Sequence, residues 1–292
     1  MFGGGRNEEK TASSGGGKVG AAPGRGRTRK GGKGSGPSTE GGTSTRPAGP
    51  PQPTGRTGRT ARVEQGRDVL GVVATRSGWV GAHLDASGHG TPAIVARAGL
   101  QDLVALAGDV TVVAVDVPVG LPDDGPRDAD KQTRSFVGSK GAAEVFTTPV
   151  RAAVYAATYG EANTLNREKV GSGVARQAYD RRAHIMEVDE HVRADLPYLL
   201  VETHPGAAFT ELAGGTLESK RRSAEGSAQR RALLAAAGIH APTTAPIGVS
   251  TEDMLDACAA AWTAHRVKNG QARSFPEEPQ TFTDGIPSAI HV

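Results

Sequence analysis

A chain of 292 residues has room for one large domain or two small ones, and with 37% apolar but only 4% aromatic residues its core must rest on Val, Leu, Ala and Ile. The net charge of +3 is unevenly spread: residues 1–66 hold 12 Lys/Arg against 4 Asp/Glu, leaving 22 against 27 for the remainder, which therefore does not read as a general nucleic-acid clamp. No apolar run reaches the roughly 18–20 residues of a membrane span, and without an apolar N-terminal stretch the expected compartment is the cytoplasm.

Up to about Gly66 the chain is mostly Gly, Ser, Thr, Pro and Arg, with 19 of the 41 glycines. Such a segment buries too little apolar surface to offset an ordering cost of roughly 1–2 kcal/mol per residue, so 1–66 is expected to be a disordered basic tail. Arg25, Arg27, Arg29, Lys30 and Lys33, interleaved with glycines, suit a nucleic-acid tether. No aromatic follows Phe2 there, however, so base stacking is not on offer. A start at Val63 or Val69 would remove the arm altogether. GGGKVG at 15–20 lacks the flanking strand and helix of a phosphate loop, which leaves a phosphotransferase reading without its main support.

From Asp68 the pattern changes. DVLGVVAT (68–75), WVGAHL (79–84) and residues 92–97 predict three strands joined by short turns, an antiparallel meander. Leu100, Leu103, Val104 and Leu106 follow with helical spacing. VTVVAVDVPVG (110–120) is a β-branched run apolar enough to be buried on both faces. A helix is predicted over 126–138, with Pro126 in its first turn, and helical stretches with breaks continue to about Val192. PYLLVETH (197–204) predicts another strand, helices follow near 224–237 and 251–268, and 286–291 suits an edge strand. This order predicts an α/β domain over 67–292: a mixed five-stranded sheet, three antiparallel strands feeding parallel crossovers, flanked by helices in the ribonuclease-H-like plan.

Asp116 ends an otherwise apolar strand, and ligands of open α/β sheets bind beyond the carboxyl ends of strands. Its side chain is placed either to hold a divalent cation or to cap the following turn. Glu202 repeats the arrangement in LLVETHPGAAF, and His204, two residues on, is expected on the same face. The pair could share a metal or a proton; alternatively Glu202 pairs with an arginine and His204 caps the next helix. In TEDMLDACAAAWTAHR, Glu252 and Asp253 suit the first turn of a helix capped by Ser250 or Thr251, whereas Asp256 shares a face with Asp253 beside the apolar stripe and is a site candidate. The single cysteine, Cys258, excludes a disulfide framework and reads as a small core residue. Arg127, Arg134, Arg151, Lys220 and Arg230 are candidate phosphate contacts, runs such as Lys220–Arg222 serving equally well as a solvated face.

The segments VAVDVPVGLP, RDADKQTRSFVG, EVFTTPVR, VETHPGAAF, LESKRRSAEGSAQRRALL and DMLDACAAAW, in this order, resemble the Domain of Unknown Function 429 family, and GVVATRSGW is similar to its first strand with Gly78 and Trp79. The resemblance implies a nuclease of ribonuclease-H-like fold that hydrolyses phosphodiesters with Mg²⁺ or Mn²⁺. A metal-bound water would attack phosphorus with Asp116 and Asp256 as ligands and Glu202 with His204 assisting, and Asp116, Glu202, Asp253 and Asp256 together could still hold one cation. Nucleic acid is the implied partner. Two positions depart from the family pattern. Val73 stands where the family has a first-strand Asp, and Gly206 where it has a Glu. Two-metal hydrolysis holds its ions about 3.5–4 Å apart between carboxylates, which a valine cannot join. Asp68 cannot substitute, since five strand residues at about 3.3 Å each exceed 15 Å. Hydrolysis is therefore expected to be impaired, and the alternative is a non-catalytic binding or scaffold protein that retains the fold.

Overall fold

The computed structural model describes residues 67–292, and the expected basic tail lies outside the described residues. Strands β1 (Asp68–Thr75), β2 (Gly78–Leu84) and β3 (Ala93–Arg97) form the antiparallel meander. Helix α1 (Leu100–Ala107) leads to β4 (Val110–Val115), which runs parallel to β1. Between β4 and β5 (Leu199–Thr203) lie α2 (Asp128–Phe136), α3 (Gly138–Gly141), a 3₁₀ turn (Ala142–Glu144), α4 (Arg151–Val154), α5 (Tyr159–Val170), α6 (Arg176–Asp180) and α7 (Arg182–His191). Helices α8 (Pro205–Ala213), α9 (Ala224–Ala236) and α10 (Thr251–Lys268) follow, then β6 (Ser274–Thr281) and β7 (Pro287–His291).

The result is a mixed sheet of seven strands in the order β3-β2-β1-β4-β5-β7-β6, rather than five. Residues 286–291 do form a strand, but β7 lies inside the sheet, parallel to β5, and β6 takes the border. The sequence SFPEEPQT hides β6, because two prolines and two glutamates break the usual strand pattern. A border strand tolerates them: 276–279 fall outside the β6–β7 register, where missing N–H groups cost little.

Strand alternation sorts the core into two layers. Val69, Val73, Val112, Ala114 and Val201 face α8, α9 and α10, meeting Phe209, Leu234 and Leu255. Leu70, Val72, Val113, Val115 and Leu200 face the other way, toward Leu103, Ile185 and Val188. Helix α10 lies very close to β1, because its facing residues are mostly alanine. At Gly71 a Cβ would stand 1.9 Å from the Ala261 amide nitrogen, so only glycine admits that approach. Cys258 is buried in this layer and free, as expected of a core residue. Among the described residues no helix is long and apolar enough to cross a membrane.

Candidate functional site

Asp116 follows the last residue of β4, at the carboxyl end of a strand inside a parallel pair. The chain leaves the sheet there because Pro118 cannot continue the ladder. The Asp116 carboxylate accepts a hydrogen bond from the Ala74 N–H at the end of β1 (2.6 Å) and one from the Arg181 guanidinium (3.3 Å). It therefore both caps the neighbouring strand and lines a cleft of about 770 Å³. Alternation puts Val73 on the same sheet face as Asp116, one residue past the Val72–Val115 pair. Val73 itself is packed in the apolar layer.

Asp256 reaches the cleft from α10. The helix is capped by the Ser250 hydroxyl, which accepts from the Asp253 N–H (3.0 Å), and Asp253 and Asp256 project from its first two turns. Arg221 spans the two acids, donating from Nε to Asp256 (2.7 Å) and from Nη2 to Asp253 (3.2 Å). Burial pushes the Asp256 carboxyl up to about 6, against the opposing pull of Arg221.

His204 lines the cleft as the N-cap of α8. Its Nδ1 accepts the Ala207 N–H (3.2 Å), which leaves the proton on Nε2, facing the Glu144 carbonyl (3.4 Å). Burial lowers its pKa, so the ring is a neutral capping group.

Glu202 is not part of this cleft. It lies on the opposite sheet face, because Val201 pairs with Ala114 and Glu202 with Val115. There it is buried and gripped in bidentate fashion by Arg127 (2.7 and 2.8 Å), and it also accepts the Val119 N–H (2.8 Å). Arg127 donates as well to Asp130 (2.6 Å), whose carboxylate also accepts the Thr148 N–H (2.7 Å). Burial disfavours the Arg127 charge, yet Asp130 and Glu202 raise its pKa and hold it protonated. The expected meeting of Asp116, Glu202 and Asp256 therefore does not occur, and the expected sharing of one face by Glu202 and His204 fails because β5 ends at Thr203.

The basic candidates divide in the same way. Arg127 is consumed by its carboxylates. Arg134 ties down the Val145 carbonyl (2.7 Å), and Arg151 pairs with Asp189 (2.6 Å) and Asp284; neither lines the cleft. Lys220 and Arg230 do line it, together with Arg181, Arg221, Arg222 and Glu144, which are absent from the expected contacts. The loop before α9 is folded tightly back: a Cβ at Gly226 would stand 1.9 Å from the Lys220 carbonyl oxygen. That glycine was the available signal that the backbone of the Lys220–Arg222 run is held against α9, while the Lys220 and Arg222 side chains are exposed, as a solvated face requires.

Among the described residues no three His, Cys, Asp or Glu side chains come together as a metal centre. Asp116 and Asp256 are instead each matched by an arginine. This donor set does not fit a two-cation centre. What the arrangement offers is a cleft at the strand ends with guanidinium and ammonium groups along it, suited to an anionic ligand.

No curated protein and no solved structure matches the chain. A family model described as "Protein of unknown function (DUF429)" matches residues 66–281, and the chain belongs to that family.

Proposed function

We propose that this chain is a nucleic-acid-binding protein of ribonuclease-H-like descent, with the two-metal hydrolysis of phosphodiesters impaired or lost. The first five strands, in the order β3-β2-β1-β4-β5 with only the first three antiparallel, support that descent. The observation that carries the functional reading is the pairing of acids in the cleft. Asp116 is closed by Arg181 and Asp256 by Arg221, while Val73 adds no carboxylate beside them. Electrostatically these guanidinium groups stand where a hydrolase of this plan needs metal ions, and they favour phosphate over a naked cation.

The test uses the full chain with labelled single-stranded, duplex and hybrid oligonucleotides in Mg²⁺ or Mn²⁺, alongside Val73→Asp and Asp116→Ala. Binding without cleavage by the unmodified chain is expected; cleavage appearing in Val73→Asp would show that Asp116 and Asp256 can exchange their arginines for metal ions. Cleavage by the unmodified chain that disappears in Asp116→Ala would restore the intact-nuclease reading. Failure to bind any oligonucleotide would overturn the proposal.

A further inference from the structure

Arg230, in the second turn of α9, is only 6% exposed, yet it lacks what normally accompanies a buried cation. Its Nε has no hydrogen-bond partner among the described residues, Nη1 makes one long contact to the Gly226 carbonyl (3.4 Å), and its Cζ stands 5.3 Å from the Phe209 ring centroid. No carboxylate among the described residues is ion-paired to it; Asp256 and Glu144 act on it only at longer range. Burial lowers its pKa, the reverse of Arg127 among its acids. Two further cations share this wall, Lys220 and Arg222, both exposed side chains without an ion-pair partner among the described residues. The other basic residues of the cleft differ: Arg181, Arg221 and Lys140 are matched by Asp116, Asp253 with Asp256, and Glu218. Cations without an ion-pair partner are thus concentrated on the wall built by the α8–α9 loop and α9, while the cleft as a whole, with Glu144 unpaired among the described residues and Arg221 shared by two acids, is close to balanced: six basic side chains line it against five acidic ones.

We propose that Arg230, Lys220 and Arg222 form a subsite for a terminal phosphate, the phosphomonoester end of a nucleotide or oligonucleotide. This deepens the nucleic-acid reading and rests on it for the identity of the attached group. Three unmatched cations suit a monoester, which carries about 1.5–2 negative charges near neutrality, better than an internal diester with one. Depth points the same way. A group so little exposed is reached by the end of a ligand more readily than by a strand that must continue on both sides.

The test is calorimetric titration of the full chain with inorganic phosphate, a nucleoside 5′-monophosphate, and one single-stranded oligonucleotide with and without a 5′-phosphate. The phosphorylated oligonucleotide is expected to bind about tenfold or more tightly than its unphosphorylated twin, as befits charge-assisted contacts. That margin should disappear in Arg230→Met and shrink in the double variant Lys220→Gln with Arg222→Gln. The double variant changes exposed side chains only, so it decides the matter even if Arg230→Met fails to fold. Equal binding of the two oligonucleotides overturns the terminal-phosphate subsite and leaves the nucleic-acid reading standing. Binding of phosphate and monophosphate without either oligonucleotide supports the subsite while removing the nucleic-acid reading. Absence of binding by every phosphorylated probe overturns the subsite.

Discussion

Arg127 and Arg230 are both nearly lost to solvent, but only Arg127 has carboxylates to match its charge. Arg127→Met would strand Asp130 and Glu202 without their counter-charge, and removing one partner of a buried pair costs about 3–5 kcal/mol. Urea denaturation of the variant should show a loss of that size; a loss below about 1 kcal/mol would mean that the cluster is not a structural anchor. Asp256 makes a prediction of the opposite sign to that of an ordinary ion-paired acid. Its native carboxyl gives up its proton at about 6 rather than 3.8, so its contribution favours the folded chain most below about 4 and is lost as pH rises through 6. Asp256→Asn should therefore gain stability relative to the unmodified chain between pH 4 and 7, by up to about 3 kcal/mol, in unfolding curves measured across that range. A pH-independent difference would show that Arg221 keeps the acid fully ionised. In sequence Asp116 and Glu202 look equivalent, each ending an apolar strand just before a proline. What separates them is the pairing of Val201 with Ala114, an interstrand register that no local pattern reveals. For His204 both readings were open in the sequence, and the Ala207 N–H shows it capping α8.

Local periodicity carried most of the secondary structure. The run 68–75 is β1 to the residue, and α10 spans 251–268 as its spacing and serine cap require. The strand at 110–120 stops at Val115, because the chain turns out of the sheet at Asp116 and Pro118. Helix α2 starts at Asp128 rather than at Pro126, since Arg127 is still extended and is drawn into its carboxylate cluster. Two glycines set the spacing between elements. Gly71→Ala would drive a methyl group into the α10 backbone, where neither β1 nor α10 can yield easily, and a loss of about 1–3 kcal/mol or more is expected in thermal or urea unfolding. Gly226→Ala would push the Lys220 carbonyl away from α9. Its larger effect should be on anion affinity, weakened severalfold or more in the titrations described above, because the displaced loop carries Lys220, Arg221 and Arg222. Retained affinity in a folded Gly226→Ala protein would show that the loop position does not matter for binding.

For the molecule as a whole, the acidic balance of residues 67–292 and the basic wall inside the cleft are compatible, because the cleft gathers cations locally. Binding through that wall should weaken with salt, with a slope reporting a few phosphate contacts rather than the many of a non-specific clamp. The mixed α/β class was legible from element order and the last strand from its sequence, whereas the sheet's full width was not, because β6 breaks the strand pattern and its pairing places β7 inside the sheet. That same border strand has a consequence for how the protein behaves among copies of itself. Pro276 and Pro279 offer no N–H to an incoming chain, and Glu277 and Glu278 are exposed between them. A neighbouring molecule approaching from that side meets gaps and repulsion where it would need a continuous ladder, so the sheet is finished at β6, and crowding the protein to high concentration should not extend it there.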